Sequence, residues 1–330
     1  MLKTKKTSPR KQKKAHPNKA SKKPIFTTLK AGDTVEIIAP GSHAPLQHLE
    51  KGAEILRSWG LNVIYDKQLI KPQIFLSNTD EFRFKSFKSA FENKNVKMIW
   101  CLRGGYGAIR LLPFLEKMKA PKTPKILIGL SDISSLQVAM AKHWNMPSLH
   151  TALVDRFALE KLTAENVTEI KKSLFEADFE MNFENLEPIN SIAKKNMKIK
   201  SQVIGGNLMV VTSTLGTPSQ VEAEGKIIFL EELSERSYRI DRCLQQLKQS
   251  GVFKKAKAIV FGDFTNCDEP NKENHVSDVL FNFCSQIKIP AFKGLQNGHG
   301  QLQRPLFFNT EATLICGKIG VLKVKSPFKG

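Results

Sequence analysis

The sequence contains no apolar run that approaches the roughly 20 residues a bilayer-spanning helix needs, so no transmembrane helix is expected. Cysteine is scarce: Cys101, Cys243, Cys267, Cys284 and Cys316 are scattered, odd in number and never in a C-x-x-C pair. That pattern excludes a disulfide framework and fits reduced thiols in a cytosol. Cys267 and His275 lie near each other in sequence, but no second ligand pair accompanies them, so no metal site and no cofactor are expected. The first 24 residues have no acid and no aromatic side chain, and no apolar segment follows their charges, which argues against a secretory signal.

What that stretch does contain is charge. Lys3, Lys5, Lys6, Arg10, Lys11, Lys13, Lys14, Lys19, Lys22 and Lys23 supply half of the formal net charge of +20. A lysine-rich segment with Pro9, Pro17 and Pro24 cannot bury enough surface to fold, so residues 1–25 are expected to be a disordered basic tail. A solvated tail is the bland reading; a weak tether to a polyanion is the sharper one. The rest of the chain, 41% hydrophobic overall within 330 residues, has material for two domains.

From about Phe26 onward, short β-branched runs alternate with helical patterns. Thr34–Pro40 reads as a strand entering the turn Pro40-Gly41-Ser42, and Leu46–Trp59 as a helix closed by Gly60. Leu61–Tyr65 is a second strand. Asp80–Phe91 is a helix whose inward stripe is Phe84, Phe87 and Phe91, with Phe82 beside it. Val96–Leu102 and Pro124–Leu130 are further strands, the second running straight into Ser131 and a helix ending at Trp144. The alternation predicts an α/β domain with a mainly parallel sheet over residues 26–155. Residues 156–200 read as a helix plus an extended connection. A smaller α/β or β-rich domain is expected over 201–330, with strands at Lys226–Leu230 and Ala258–Phe261, a helix at Ile240–Leu247 and a C-terminal stretch capable of forming strands.

Three segments carry chemistry. Ile126-Leu127-Ile128-Gly129-Leu130-Ser131-Asp132 takes a strand through a sharp turn into a helix, exposing a serine beside helix N-terminal amides that can hold an oxyanion. It matches only part of G-x-S-x-G, since Ile133 stands at the last position, and a plain helix cap is the alternative. Arg103-Gly104-Gly105-Tyr106-Gly107 lets backbone amides approach a ligand closely. It is not a dinucleotide fingerprint, because Arg110 occupies the position of the third glycine. A serine nucleophile needs a base and an orienting acid. Among seven histidines, His299 is flanked by Gly298 and Gly300, which suits presentation from a loop into a cleft. His150 follows Leu149 near a domain edge without special context. Glu231 and Glu232 end a buried-looking strand, and only one of the two can face a cleft.

Together these segments resemble the LD-carboxypeptidase family, serine peptidases that include the microcin-immunity peptidases. The carrying residues are Ile37-Ile38-Ala39-Pro40-Gly41-Ser42, Arg103–Gly107, Gly129-Leu130-Ser131-Asp132, Gly205-Gly206-Asn207-Leu208, Leu230-Glu231-Glu232, Tyr238–Arg242 and Gly298-His299, in that order along the chain from about Leu29. The resemblance implies a triad in which Ser131 attacks, His299 shuttles the proton and Glu231 orients His299. It also implies an oxyanion hole of the Gly105 and Asp132 amides, and Asn207 near the bound peptide. The implied reaction removes the terminal D-alanine from a muropeptide tetrapeptide, a recycling step in bacterial cytoplasm. The substrate is thus a muropeptide or other short peptide, with a homodimer left open. A microcin-immunity activity on a peptide–nucleotide toxin is the runner-up, and the interval of about 100 residues between Ser131 and Glu231 leaves little room for its longer loop. An idle wall-fragment or polyanion binder is the reading from another class.

Deleting Met1–Lys23 tests the tail. The full-length chain is expected to bind a polyanion at low salt and release it as salt rises, and the truncated chain to lose most of that affinity with peptide cleavage unchanged. Equal binding by both forms in a salt-gradient binding assay places the anion site elsewhere.

Overall fold

The computed structural model describes residues 26–329, and the expected basic tail lies outside them. Five short strands, β1 (Thr34–Ile38), β2 (Asn62–Ile64), β3 (Val96–Cys101), β4 (Ile126–Gly129) and β5 (Ser148–His150), pair in parallel in the order β5-β4-β3-β1-β2. The mainly parallel sheet expected from the alternation is present. Its sixth strand comes from far along the chain: Leu306–Phe308 pairs antiparallel with β5, so the distal half of the sequence completes the first sheet.

Side chains of β3 alternate between two cores, as strand geometry requires. Met98 and Trp100 pack with Leu49, Ala53 and Leu56 of α1 (Leu46–Ser58). Ile99 and Cys101 pack on the other face with Phe87 and Phe91 of α2 (Asp80–Glu92). The α2 stripe differs from expectation in one residue: Phe84 is only partly buried, against Phe114, while Arg83 is buried. Two short helices follow, α3 (Leu112–Leu115) and then α4 (Ser134–Trp144), which begins just after the candidate serine.

The connection expected over 156–200 is more structured than its charge suggests. After α5 (Val154–Ala158) and α6 (Ala164–Phe175) it forms β6 (Glu180–Pro188) and the start of β7 (Met197–Asn207). Both are staves of a closed barrel, whose outward residues face water and mask the inward pair Met181 and Phe183 in the sequence. The other elements are α7 (Leu208–Ser213), β8 (Ile227–Leu233), α8 (Ser237–Gln249), β9 (Ala258–Thr265), α9 (Val276–Ser285), β10 (Ala291–Lys293), β11 (the strand Leu306–Phe308), β12 (Glu311–Cys316) and β13 (Gly320–Lys325). The barrel closes in the order β10-β6-β13-β12-β7-β8-β9, with β7, β8, β9 and β10 mutually parallel. Along β8, Ile227 and Phe229 join the large core, whereas Ile228 and Leu230 pack under α8 and α9.

Helix α4 is the hinge of the architecture: Ser134 through Ala141 are all buried between the first sheet and the barrel. Strand β7 reaches its N-terminus so closely that a Cβ at Gly206 would lie 2.2 Å from Ser134 Oγ. Gly206 also holds a φ of 132°, which L side chains rarely adopt. The next amide, of Asn207, donates to Ser134 Oγ at 3.1 Å. Gly206→Ala is therefore expected to cost roughly 2–4 kcal/mol, adding backbone strain to overpacking. Urea unfolding checks this, and an unchanged midpoint contradicts the close approach.

Candidate active site

The turn between β4 and α4 puts Ser131 at φ 67°, in the left-handed region that a non-glycine residue rarely occupies. Such strain persists only where surrounding structure holds it. Two features do so here. Gly104 presses on the serine, and a Cβ there would lie 2.9 Å from Ser131 Cβ. Asp132 is buried, and its Oδ2 accepts the Ala108 amide at 2.8 Å, tying the serine turn to the Gly104–Gly107 loop. Burial raises the Asp132 carboxyl to about 6 against the lowering effect of that amide and of Arg83.

Arg83 locks the same loops from beneath. Its guanidinium donates to the Pro40 carbonyl, to Gly107 O at 2.9 Å and to Asn78 O at 3.2 Å, and pairs with Asp80 at 2.5 Å. Ser42 Oγ accepts the Tyr106 amide at 3.0 Å, and the Ser42 amide donates to Gly104 O at 2.8 Å. Gly105, at φ 79°, leaves no room for a Cβ, which would meet Ser42 Oγ at 2.4 Å.

The two glutamates at the end of β8 diverge as adjacent strand residues must. Glu231 is fully buried, and its Oε2 receives His299 Nδ1 at 2.7 Å. Glu232 turns to α7: it accepts Asn207 Nδ2, the Met209 amide and the Leu233 amide, each at 2.8 Å. Burial raises its carboxyl to about 7, although those donors work the other way. Asn207 caps α7, its Oδ1 accepting the Val210 amide at 3.1 Å, so most of its side chain is already engaged.

His299 is nearly buried and titrates above its ordinary 6.5. Burial pulls it down, but the charge of Glu231 and the hydrogen bond to it outweigh that pull. Its loop is braced from β9: the Asp263 amide donates to Asn297 O at 3.0 Å, and Asp263 Oδ2 accepts the Gly300 amide at 3.3 Å. Burial raises Asp263 to about 6, and Glu231 pushes it further the same way.

Ser131, Gly104, Gly105, Asn207, Glu232 and His299 all line one cleft of 520 Å³ between the first sheet and the barrel. Glu231 lies behind His299. Arg103, Arg156 and Lys161 also line the cleft, together with the carboxylates of Asp155, Glu232 and Glu235. Arg103 lies 3.8 Å from Asp155, a loose pair that leaves its guanidinium accessible. Cys267 and His275 do not meet: Cys267 is buried and donates to Thr265 O, while His275 is exposed beside Glu273. No helix of the described residues is long and apolar enough to cross a membrane.

Sequence reasoning passed over Arg83, Asp263 and the buried His150–Asn297 pair. Asp263 had a signal, since it ends the apolar run Ile259-Val260-Phe261 just as Glu231 ends its own strand. Arg83 had none, sitting among phenylalanines on a helix where an exposed position was the natural expectation.

A mainly parallel sheet and a closed barrel that meet at one cleft are the architecture of a known peptidase family. The LD-carboxypeptidase N-terminal domain matches residues 35–151 and the C-terminal domain of the same family matches residues 200–314. The chain belongs to the LD-carboxypeptidase family. A protein of Rickettsia conorii named as a carboxypeptidase is 32% identical over 89% of this chain and 93% of its own length. The murein tetrapeptide carboxypeptidase of Pseudomonas aeruginosa is 28% identical over 85% of this chain and 92% of its own. The microcin C7 self-immunity protein MccF of Escherichia coli is 27% identical over 83% and 88% respectively. Among solved structures, the muramoyltetrapeptide carboxypeptidase from Oxalobacter formigenes superposes with a TM-score of 0.78 at 26% identity, covering 90% of this chain and all of that one.

The His299–Glu231 contact yields a titration test. The His299 imidazole is expected to titrate above 6.5 by proton NMR, because ionised Glu231 favours the imidazolium. In Glu231→Gln burial and the charge of Arg156 are opposed only by the weaker effect of Glu232, and the midpoint should fall below 6.5. An unmoved midpoint would show that the pairing does not control this histidine.

Proposed function

We propose that this chain is a serine carboxypeptidase that removes the terminal D-alanine from muropeptide tetrapeptides by cleaving the LD bond, in peptidoglycan recycling in the cytoplasm. The observation that carries the reading is the 2.7 Å contact of His299 Nδ1 with buried Glu231, in a cleft that Ser131 also lines. With Nδ1–H committed to Glu231, the lone pair of His299 sits on Nε2, the nitrogen able to take the proton of Ser131 Oγ. Ser131 attacks the scissile carbonyl, and the amides of Gly105 and Asp132 receive the developing oxyanion. His299 returns its proton to the departing D-alanine amine, and a water activated by the same imidazole then hydrolyses the acyl-serine.

Arg103, beside Gly104, is placed to hold the free carboxylate that a carboxypeptidase substrate presents next to the scissile bond, with Arg156 and Lys161 serving further carboxylates of the peptide. Glu232 and Asn207 shape the wall through the start of α7. The relatives named for murein peptides support this substrate class.

Incubation with a disaccharide tetrapeptide is expected to release one D-alanine, seen by mass spectrometry, while a tetrapeptide ending in L-alanine remains intact. Ser131→Ala should abolish turnover with the fold intact, since a small change at a helix start costs only about 0.5–2 kcal/mol. Glu231→Gln should lower kcat by orders of magnitude, and Glu232→Gln much less. Near-normal activity of Ser131→Ala removes the proposed nucleophile. Turnover of a peptide–nucleotide conjugate with none of the tetrapeptide would favour the microcin-immunity reading instead.

A further inference from the structure

Glu231 has two carboxylate oxygens, and His299 occupies only one of them. Oε1 is fully buried and meets no donor of the protein. A second histidine presents a matching atom. His150 is fully buried on β5, its ring 5.4 Å from that of Phe229. Phe229 stands two residues before Glu231 on the same face of β8, and Gly298, which follows the His150 partner Asn297, packs against Glu231 Cβ. His150 Nε2 is likewise buried without a protein partner.

The protonation of His150 follows from its neighbour. Asn297 Nδ2 donates to His150 O at 2.9 Å and to Arg304 O at 2.5 Å, which fixes the amide orientation. Asn297 Oδ1, 2.7 Å from His150 Nδ1, can only accept, so the imidazole proton is on Nδ1. Nε2 therefore carries a lone pair. Burial holds this ring neutral by pulling its pKa down to about 4. Glu231 Oε1 and His150 Nε2 are thus two buried acceptors without a protein donor, on residues that Phe229 and the Asn297-Gly298 turn bring near each other. Neither can satisfy the other, and leaving both bare would cost on the order of 1–3 kcal/mol each.

We propose that one buried water donates a hydrogen to each, so that Glu231 is gripped from both sides, by His299 on Oε2 and by His150 through the water on Oε1. A water is the smallest group with two donors, and a polar site with several partners is where buried waters reside. His150 is then a positioning residue: it touches no substrate, and it sets the rotation of the carboxylate that aims His299. The catalytic role rests on the triad reading above, but the protonation pattern does not.

The test uses the full-length chain labelled with nitrogen-15. Long-range proton–nitrogen spectra should show His150 neutral from about pH 5.5 to about pH 8, with Nδ1 protonated and Nε2 shifted as an acceptor of a hydrogen bond. His150→Gln, which loses the signal, assigns it. An Nε2–H tautomer, or an Nε2 that accepts no hydrogen bond, overturns the proposal whether or not the chain is a peptidase. In kinetics, His150→Leu should lower kcat by roughly 10-fold or more with KM nearly unchanged, and His150→Gln, whose amide can donate to Glu231, should recover part of the loss. An unchanged kcat in His150→Leu, alongside an inactive Ser131→Ala, rejects the positioning role and leaves the triad standing.

Discussion

The backbone of Ser131, at φ 67°, is the conformation around which the other loops are arranged. A serine held there lies off the main allowed regions by about 1–3 kcal/mol, so its neighbours must fix it. They do so mostly by coming too close for any side chain. Gly104 lies against the serine, Gly41 lies against Gly104 and Asp132, and Gly206 lies against Ser134 at the start of α4. A Cβ at Gly41 would fall 2.4 Å from Gly104 O, so the Ala39-Pro40-Gly41-Ser42 turn is part of the same stack. Asp132 and Arg83 then supply the polar ties, each fastening a loop from a different strand end. The result is a closely packed wall beside Ser131, built mainly from the loops of the first sheet.

The other half contributes His299 and Glu231, and strand alternation at the end of β8 divides the labour between two adjacent carboxylates. Glu231 points into the protein to hold His299, and Glu232 points along the cleft to hold the start of α7. Helix α4, buried between sheet and barrel, is the element both halves share, which is why the Asn207 amide can bond Ser134 while β8 lies beside β7. A shift of the barrel against the sheet would separate Ser131 from His299 without altering either local environment.

Much of this was legible because it is local. The strand-to-helix turn at Ser131, the glycine loop after Arg103, the glycine-flanked His299 and the paired glutamates each announce themselves within a few residues. The parallel sheet followed from alternating strands and helices. What escaped is non-local. Leu306–Phe308 adds to the first sheet from the far end of the chain, a pairing no sequence window contains. Strand β6 hides among charges because a barrel stave keeps one face in water. The burial of Arg83 depends on three carbonyl groups brought together from Pro40, Asn78 and Gly107. Which glutamate meets the histidine depends on strand phase, and the neighbours of His150, Asn297 and Phe229, lie far from it in sequence.

The central claim is that the acyl half of the substrate passes through Ser131. Rapid-quench mixing of the chain with a muropeptide tetrapeptide, followed by peptide mapping, tests it directly. The account predicts a transient ester on Ser131, carrying the substrate less its terminal D-alanine, that forms as D-alanine is released and decays to tripeptide. Release of D-alanine at the full rate with the acyl group on another residue, or with the Ser131 peptide unmodified at every quench time, would contradict it.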